Sequence, residues 1–92
     1  VIDIQKQSDG KWAVNRGSQF NKRYTGNMSY RLTGPATSLT GNSVIGTLNN
    51  CAHGHTPWGT YLTCEETTDN YLDPSQNPRG YGWVLEIDPQ NQ

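Results

Sequence analysis

Residues 81–88, YGWVLEID, carry the strongest strand pattern in this sequence, and a similar apolar–polar alternation opens the chain at residues 1–4, VIDI. Polar, turn-forming residues follow both stretches. Recurring β-units that are separated by long loops are typical of a β-propeller more than of a β-sandwich. The sequence therefore predicts an all-β fold that forms a segment, one or two blades, of a β-propeller.

Shorter patterns lie between these two stretches. The predicted strands are a hairpin over residues 1–15 with its turn at Asp9-Gly10, and short strands within 28–32, 43–48 and 60–64. The predicted loops are residues 15–26, 36–42 and 67–80, which are rich in polar and turn-forming residues. Since no run of ten or more residues has a 3.6-residue period, no helix is predicted.

The apolar content is low for an independent domain. The chain has 92 residues, of which 32% are hydrophobic, and its mean hydropathy is −0.84. Small domains bury the smallest share of their surface, so a thin apolar supply is a particular handicap at this length. The chain also begins mid-pattern at Val1, without a methionine. We expect residues 1–92 to be a partial β-propeller domain of a longer chain that neither folds nor works alone.

Charge and hydropathy argue against two classes of partner. Seven Lys and Arg residues against eight Asp and Glu residues give a net charge of −1, with no basic stripe of the kind that binds nucleic acid. No apolar run approaches the roughly 20 residues that cross a bilayer. No signal peptide opens the chain, and one that lies upstream of Val1 would not be seen here.

The residues that can do chemistry are concentrated in residues 49–66, NNCAHGHTPWGTYLTCEE. We expect a shaped loop followed by a strand. On that strand, alternation places Leu62, Cys64 and Glu66 on one face, which the apolar character of the first two predicts to be buried. A buried carboxylate is costly unless it is paired or binds a metal, which makes Glu66 a candidate ligand. The alternative is that Glu65 and Glu66 both lie in water at the end of the strand.

Cys51 and Cys64 leave three possibilities open, namely a disulfide, metal binding or buried thiols. If the segment is extended, Cys51 shares a face with His53 and His55, and Cys64 completes a set of four possible zinc ligands. The spacing of this set matches no standard zinc motif. The two histidines can equally be loop residues that face water.

Three stretches resemble the PhoX-type bacterial alkaline phosphatases, namely 46–52 (GTLNNCA), 56–66 (TPWGTYLTCEE) and 81–89 (YGWVLEIDP). Residues 9–12 and 32–36 also fit that pattern, so the resemblance covers nearly the whole chain. It implies a β-propeller with a metal cluster of iron and calcium, and hydrolysis of phosphate monoesters outside the cytoplasm. It also implies a periplasmic or secreted bacterial protein, exported by the twin-arginine route.

The resemblance further implies roles for five residues. Cys51 corresponds to an iron-binding cysteine, and a thiolate is a soft ligand that suits iron. Glu66, and also Glu65, correspond to acidic positions near the metal cluster. We therefore expect Cys51 and Glu66 to be catalytic metal ligands, Glu65 to be a further metal ligand, and Asn49 and Asn50 to orient a ligand or the phosphate. The resemblance favours a buried thiol at Cys64.

His53 and His55 depart from the family pattern, which has small residues after the cysteine. Two other functions stay open at this point. One is a non-catalytic β-propeller that serves as a binding or structural module at the cell surface. The other is an independent β-domain that a Cys51–Cys64 disulfide stabilises.

Overall fold

The computed structural model describes residues 1–68 and 80–90, and within these ranges the chain forms seven β-strands and one short helix. The elements are β1 (Ile4–Lys6), β2 (Trp12–Val14), β3 (Ser29–Arg31), α1 (Thr37–Thr40), β4 (Ser43–Ile45), β5 (Asn50–His55), β6 (Tyr61–Glu65) and β7 (Val84–Ile87). They form three antiparallel sheets, in which β1 pairs with β2, β3 pairs with β4, and β6 lies between β5 and β7. The predicted all-β class is confirmed. None of the described residues belongs to a helix that is long and apolar enough to cross a membrane.

The first hairpin closes at the predicted turn. The backbone N–H of Gln7 donates to the carbonyl of Lys11 at 2.7 Å, and the Asp9 carboxylate accepts the N–H of Lys11 at 3.0 Å. Gly10 has φ +84°, a conformation that residues with a Cβ rarely adopt. The Asp-Gly pair therefore closes the turn between β1 and β2, as predicted.

The second sheet differs from the prediction in length and in its connection. Its strands are three residues each, shorter than the predicted 28–32 and 43–48. The loop that was predicted at 36–42 contains the single helical turn α1, which ends at Gly41 with φ +78°. A helix this short is held by local bonds and not by periodic burial, so the hydrophobic pattern could not predict it. Most of the loop predicted at 67–80 lies outside the described residues.

Gly46 ends β4 where two backbone segments approach closely. Its φ is +86°, and a Cβ at this position would meet the carbonyl oxygen of Gly26 well inside van der Waals contact. Gly10 has nearly the same φ, and a Cβ there would meet nothing within 4 Å. The two positions therefore share the backbone strain and differ in the steric clash.

This pair predicts unequal costs of substitution by alanine in the full-length protein. We expect Gly10→Ala to lower the free energy of unfolding by roughly 1 kcal/mol, from the unfavourable φ alone. Gly46→Ala should cost roughly 2–4 kcal/mol, because the clash adds to the strain. Urea unfolding followed by fluorescence would measure both. Equal shifts of the two midpoints would show that the close approach to Gly26 contributes nothing.

Of the two buried hydrophobic residues in the described part of the chain, Tyr81 lies where the second and third sheets meet, and Ile87 lies opposite Tyr61 at the other end of β7. Tyr81 is 3% exposed and Ile87 is 9% exposed, and the Tyr81 hydroxyl donates to the Ile45 carbonyl at 2.7 Å. Beside this bond, Tyr30 and Trp83 help line a small cavity of about 40 Å³. The junction fixes the start of β7 against the end of β4, and the candidate site lies next to it.

Candidate functional site

The segment that was predicted as a shaped loop is mainly the strand β5. It pairs with β6 through Asn50↔Glu65, His53↔Thr63 and His55↔Tyr61. The prediction was wrong because the segment is dominated by polar residues and glycine, which carry little strand propensity of their own. Backbone pairing with the apolar β6 overrides that weak local preference.

A β-bulge interrupts this pairing at the cysteine. Asn50 lies opposite Glu65, and His53 lies opposite Thr63. The two residues on β6 are two positions apart in the sequence, whereas their partners on β5 are three positions apart. Cys51 and the residue after it therefore lie together opposite Cys64. A bulge of this kind breaks the simple alternation of side chains. The expectation that Cys51 shares a face with both histidines consequently fails.

The structure has no disulfide between the two cysteines. Both thiols are free, with Cys51 exposed and Cys64 partly buried. No group of three or more His, Cys, Asp or Glu side chains in residues 1–68 and 80–90 is arranged to hold a metal ion. The four-residue zinc set is therefore not assembled in this part of the chain, and His53 instead stacks on the ring of Tyr61 at 6.3 Å between centroids.

The Thr-Pro-Trp-Gly-Thr motif is the turn between β5 and β6. The N–H of Thr56 donates to the Thr60 carbonyl at 2.9 Å, and the Thr56 hydroxyl accepts the N–H of Thr60 at 3.1 Å. Gly59 has the positive φ, +92°, that this turn requires. The two threonine hydroxyls are 2.8 Å apart. These contacts explain both threonines and the glycine as structural residues.

Trp58 lies on this turn, away from the cysteine end of the hairpin. Its indole N–H donates to Glu86 Oε1 at 3.0 Å, and the Thr60 hydroxyl donates to the same oxygen at 2.6 Å. The Thr60 and Trp58 bonds both lower the pKa of Glu86. At about 3.3 Å per residue, β6 separates the turn from Glu65 by about 13 Å. Trp58 therefore lies at the opposite end of β6 from the predicted site residues.

The two asparagines have different surroundings. The amide of Asn50 is bonded to the Thr47 hydroxyl, at 2.9 Å through Nδ2 and at 3.1 Å through Oδ1. Asn49 has φ +52°, and its Nδ2 is buried without a hydrogen-bond partner in the described part of the chain. Asn50 therefore braces a local turn, whereas the Nδ2 of Asn49 is a buried donor that no described residue satisfies.

The two glutamates have the reverse of the predicted burial. Glu65 is partly buried and Glu66 is exposed. Side chains alternate along β6 as predicted, so Glu65 shares a face with Thr63 and Tyr61. These two residues lie opposite Leu85 and Ile87 of β7. Leu62, Thr63 and Cys64 are all partly buried, so both faces of β6 are covered in part, and Glu66 is exposed because it lies beyond the end of the strand. Whether either carboxylate binds a metal stays a prediction.

Sequence reasoning missed the groups that surround Glu65, because they are backbone amides and not side chains. The N–H groups of Leu48, Gly82 and Trp83 all donate to its carboxylate. The one local pattern that could have indicated this turn is Gly82, a glycine inside a predicted strand, which has φ +84°.

The predicted site residues thus lie at one end of the β5–β6 hairpin. The structure brings this end together through the Asn50↔Glu65 pair and through a bond from the N–H of Glu66 to the Asn49 carbonyl at 3.0 Å. Cys51 follows at once, on the exposed side of the bulge. This end of the hairpin therefore carries an exposed thiol, an exposed carboxylate and a buried amide donor without a partner among the described residues.

Two comparisons with known proteins indicate the same family. The family described as alkaline phosphatase PhoX matches the chain over residues 1–92. A solved structure of Pseudomonas fluorescens PhoX, in complex with the transition-state analogue vanadate, is 34% identical and superposes with a TM-score of 0.75. The match covers 98% of this chain and 23% of that one. That enzyme is a β-propeller, so the predicted propeller segment is confirmed. No curated protein matched the chain.

Proposed function

The chain belongs to the PhoX family of alkaline phosphatases. We propose that it is one part of a longer, metal-dependent phosphatase, and that the whole enzyme hydrolyses phosphate monoesters. The observation that supports this is the match over the whole of residues 1–92 to a family of which one member has been solved in complex with vanadate. The chain spans 23% of that member, so the remainder of the active site belongs to the rest of the enzyme.

The residues of this chain fit part of an iron and calcium cluster. Cys51 offers an exposed, free thiol, which is a soft donor suited to iron, and Glu66 offers an exposed carboxylate, suited to either ion. The described residues hold no group of three such ligands, and in this proposal further parts of the parent enzyme complete the set. When bound, the metal cluster supplies positive charge that neutralises the oxygens of the phosphate.

Asn49 and the bulge give this chain its share of the chemistry. The buried Nδ2 of Asn49 has donors for a phosphate oxygen, and a donor that is fixed before the reaction stabilises developing charge without reorganising. Asn50 contributes indirectly, because its bond to Thr47 shapes the turn that holds Asn49. The bulge holds Cys51 next to both asparagines.

The proposed enzyme works outside the cytoplasm, in the periplasm or as a secreted protein. Support comes from the family resemblance, in which members are exported with their metals by the twin-arginine route. The partners of this chain are a phosphate monoester substrate and the rest of its own parent chain.

Hydrolysis of p-nitrophenyl phosphate by the full-length protein tests this proposal, with elemental analysis of the same preparation. We expect bound iron and calcium, inhibition by vanadate, and loss of activity on chelation that both metals together restore. The diester bis(p-nitrophenyl) phosphate is the matched control and should be hydrolysed far more slowly. A metal-loaded protein that releases no phosphate from monoesters would point to the alternative of a binding module, and full activity without metal would refute metal dependence.

A further inference from the structure

The carboxylate of Glu65 joins three segments that are distant in sequence. Its Oε1 accepts the N–H of Leu48 at 2.7 Å, and its Oε2 accepts those of Gly82 at 2.8 Å and Trp83 at 3.2 Å. The backbone of Glu65 adds a bond to the same turn, from its N–H to the Trp83 carbonyl at 3.1 Å. One side chain at the end of β6 therefore ties the β4–β5 connection to the start of β7.

These bonds enclose the asparagine whose amide is free. Leu48, on one side of Asn49, is held by the Glu65 side chain, and the carbonyl of Asn49 itself is held by the N–H of Glu66. Asn49 has a positive φ, which asparagine adopts more readily than other residues with a Cβ but which still costs free energy that the surroundings must offset. The bonds that Glu65 and Glu66 make to this segment, together with those from the Glu65 carboxylate to Gly82 and Trp83, form a clamp that holds it.

We propose that Glu65 is a positioning residue, which holds Asn49 and Cys51 in place for the phosphatase site through backbone amides, and is not itself a metal ligand. This inference rests on the proposed function for its catalytic part. Three N–H donors on one carboxylate are charge-assisted bonds, stronger and more directional than neutral ones. A role as metal ligand does not require these three amides, whereas a positioning role depends on them.

The substitution Glu65→Gln separates these roles with little change in size. A carboxamide has one oxygen, so its NH₂ group must face either the N–H of Leu48 or the pair from Gly82 and Trp83. A donor opposite a donor cannot bond, and at least one arm of the clamp is lost. Glu66→Gln is the matched control, because the structure shows no hydrogen bond to the Glu66 side chain within the described residues.

Amide hydrogen exchange of the full-length protein, stripped of metal with a chelator, tests the clamp directly. We expect peptides that cover Leu48 and Gly82–Trp83 to be protected in the metal-free wild type. Glu65→Gln should accelerate exchange in at least one of them by roughly 10-fold or more, and Glu66→Gln should change neither. Rapid exchange at both peptides in the metal-free wild type overturns the proposal, and this result needs no folded variant.

Kinetics of the metal-loaded enzyme test the catalytic part. Glu65→Gln should lower kcat/KM for p-nitrophenyl phosphate by roughly 10- to 100-fold while iron per chain stays unchanged. This is the range of effects typical of residues that orient metal ligands without contacting the metal. Loss of iron in proportion to activity would instead make Glu65 a ligand. If the wild type proves not to hydrolyse phosphate esters, the proposed function fails while the exchange experiment still decides the clamp.

Discussion

Replacing Cys51 by serine in the full-length enzyme is expected to remove bound iron and activity together. Orienting residues that do not touch a metal already change its affinity or its activity by roughly 10- to 100-fold, so loss of a direct ligand should exceed about 100-fold. A serine hydroxyl is a hard, protonated donor at neutral pH and is a poor substitute for a thiolate on iron. Elemental analysis and p-nitrophenyl phosphate hydrolysis, on the same samples, measure the two quantities.

Cys64→Ser is the matched control for that experiment. The bulge places Cys51 opposite Cys64, so both substitutions remove a thiol from the same part of one hairpin. Cys64 is partly buried and lies on the central strand β6, whereas Cys51 is exposed on the edge strand β5. We expect Cys64→Ser to affect stability mildly and to leave iron and kcat in place.

Two outcomes would contradict the assignment of Cys51. Unchanged iron in Cys51→Ser would show that another residue holds the ion. Equal loss of iron in both variants would indicate that the pair acts as a unit, as it would if a disulfide formed in the mature enzyme. Counting thiols in denatured protein without reductant separates that case, because free cysteines give two reactive thiols per pair and a disulfide gives none.

The strands that the sequence predicted correctly are those in stretches that contain apolar and β-branched residues. The first hairpin, the central part of β6 and the strand β7 are examples, and an Asp-Gly pair fixed the turn of the first. The strand β5 was missed because its residues are mostly small or polar, and its conformation comes from pairing with β6. Pairing with a neighbouring strand leaves no apolar alternation in the residues of β5 itself.

For the candidate site, the sequence predicted the region but not its internal geometry. The concentration of functional groups in residues 49–66 was recognised, and the structure places Asn49 and Cys51 beside Glu65 and Glu66 at one end of a hairpin. The bulge at Cys51 and the amides around Glu65 depend on how three segments meet. A period of two along a strand reports which side chains share a face, but it cannot report which face the rest of the molecule covers.

The isolated segment of residues 1–92 is expected not to fold cooperatively. Among the described residues, the buried hydrophobic ones are Tyr81 and Ile87. The described residues therefore form little of the closed apolar core that normally offsets the entropy of ordering a chain. Trp12, Trp58 and Leu39 are each more than 60% exposed, at 64%, 72% and 66%.

The dimensions of the chain lead to the same expectation. Its radius of gyration is 15.9 Å and its extents are 52 × 27 × 22 Å. A compact domain of this length has a radius of gyration of about 12 Å. The three sheets are thus spread along an elongated chain and do not enclose a shared core, which in a propeller comes from contacts with neighbouring blades.

Urea unfolding of the isolated segment, followed by far-ultraviolet circular dichroism and by tryptophan fluorescence, tests this expectation. We expect a gradual, non-sigmoidal change by both probes, while the full-length, metal-loaded enzyme unfolds in a sharp transition under the same conditions. A coincident sigmoidal transition of the segment would show that local pairing and the Tyr81 junction suffice for folding. In that case the clamp by Glu65 could be studied in the segment itself, because its donors and its acceptor all lie within this chain.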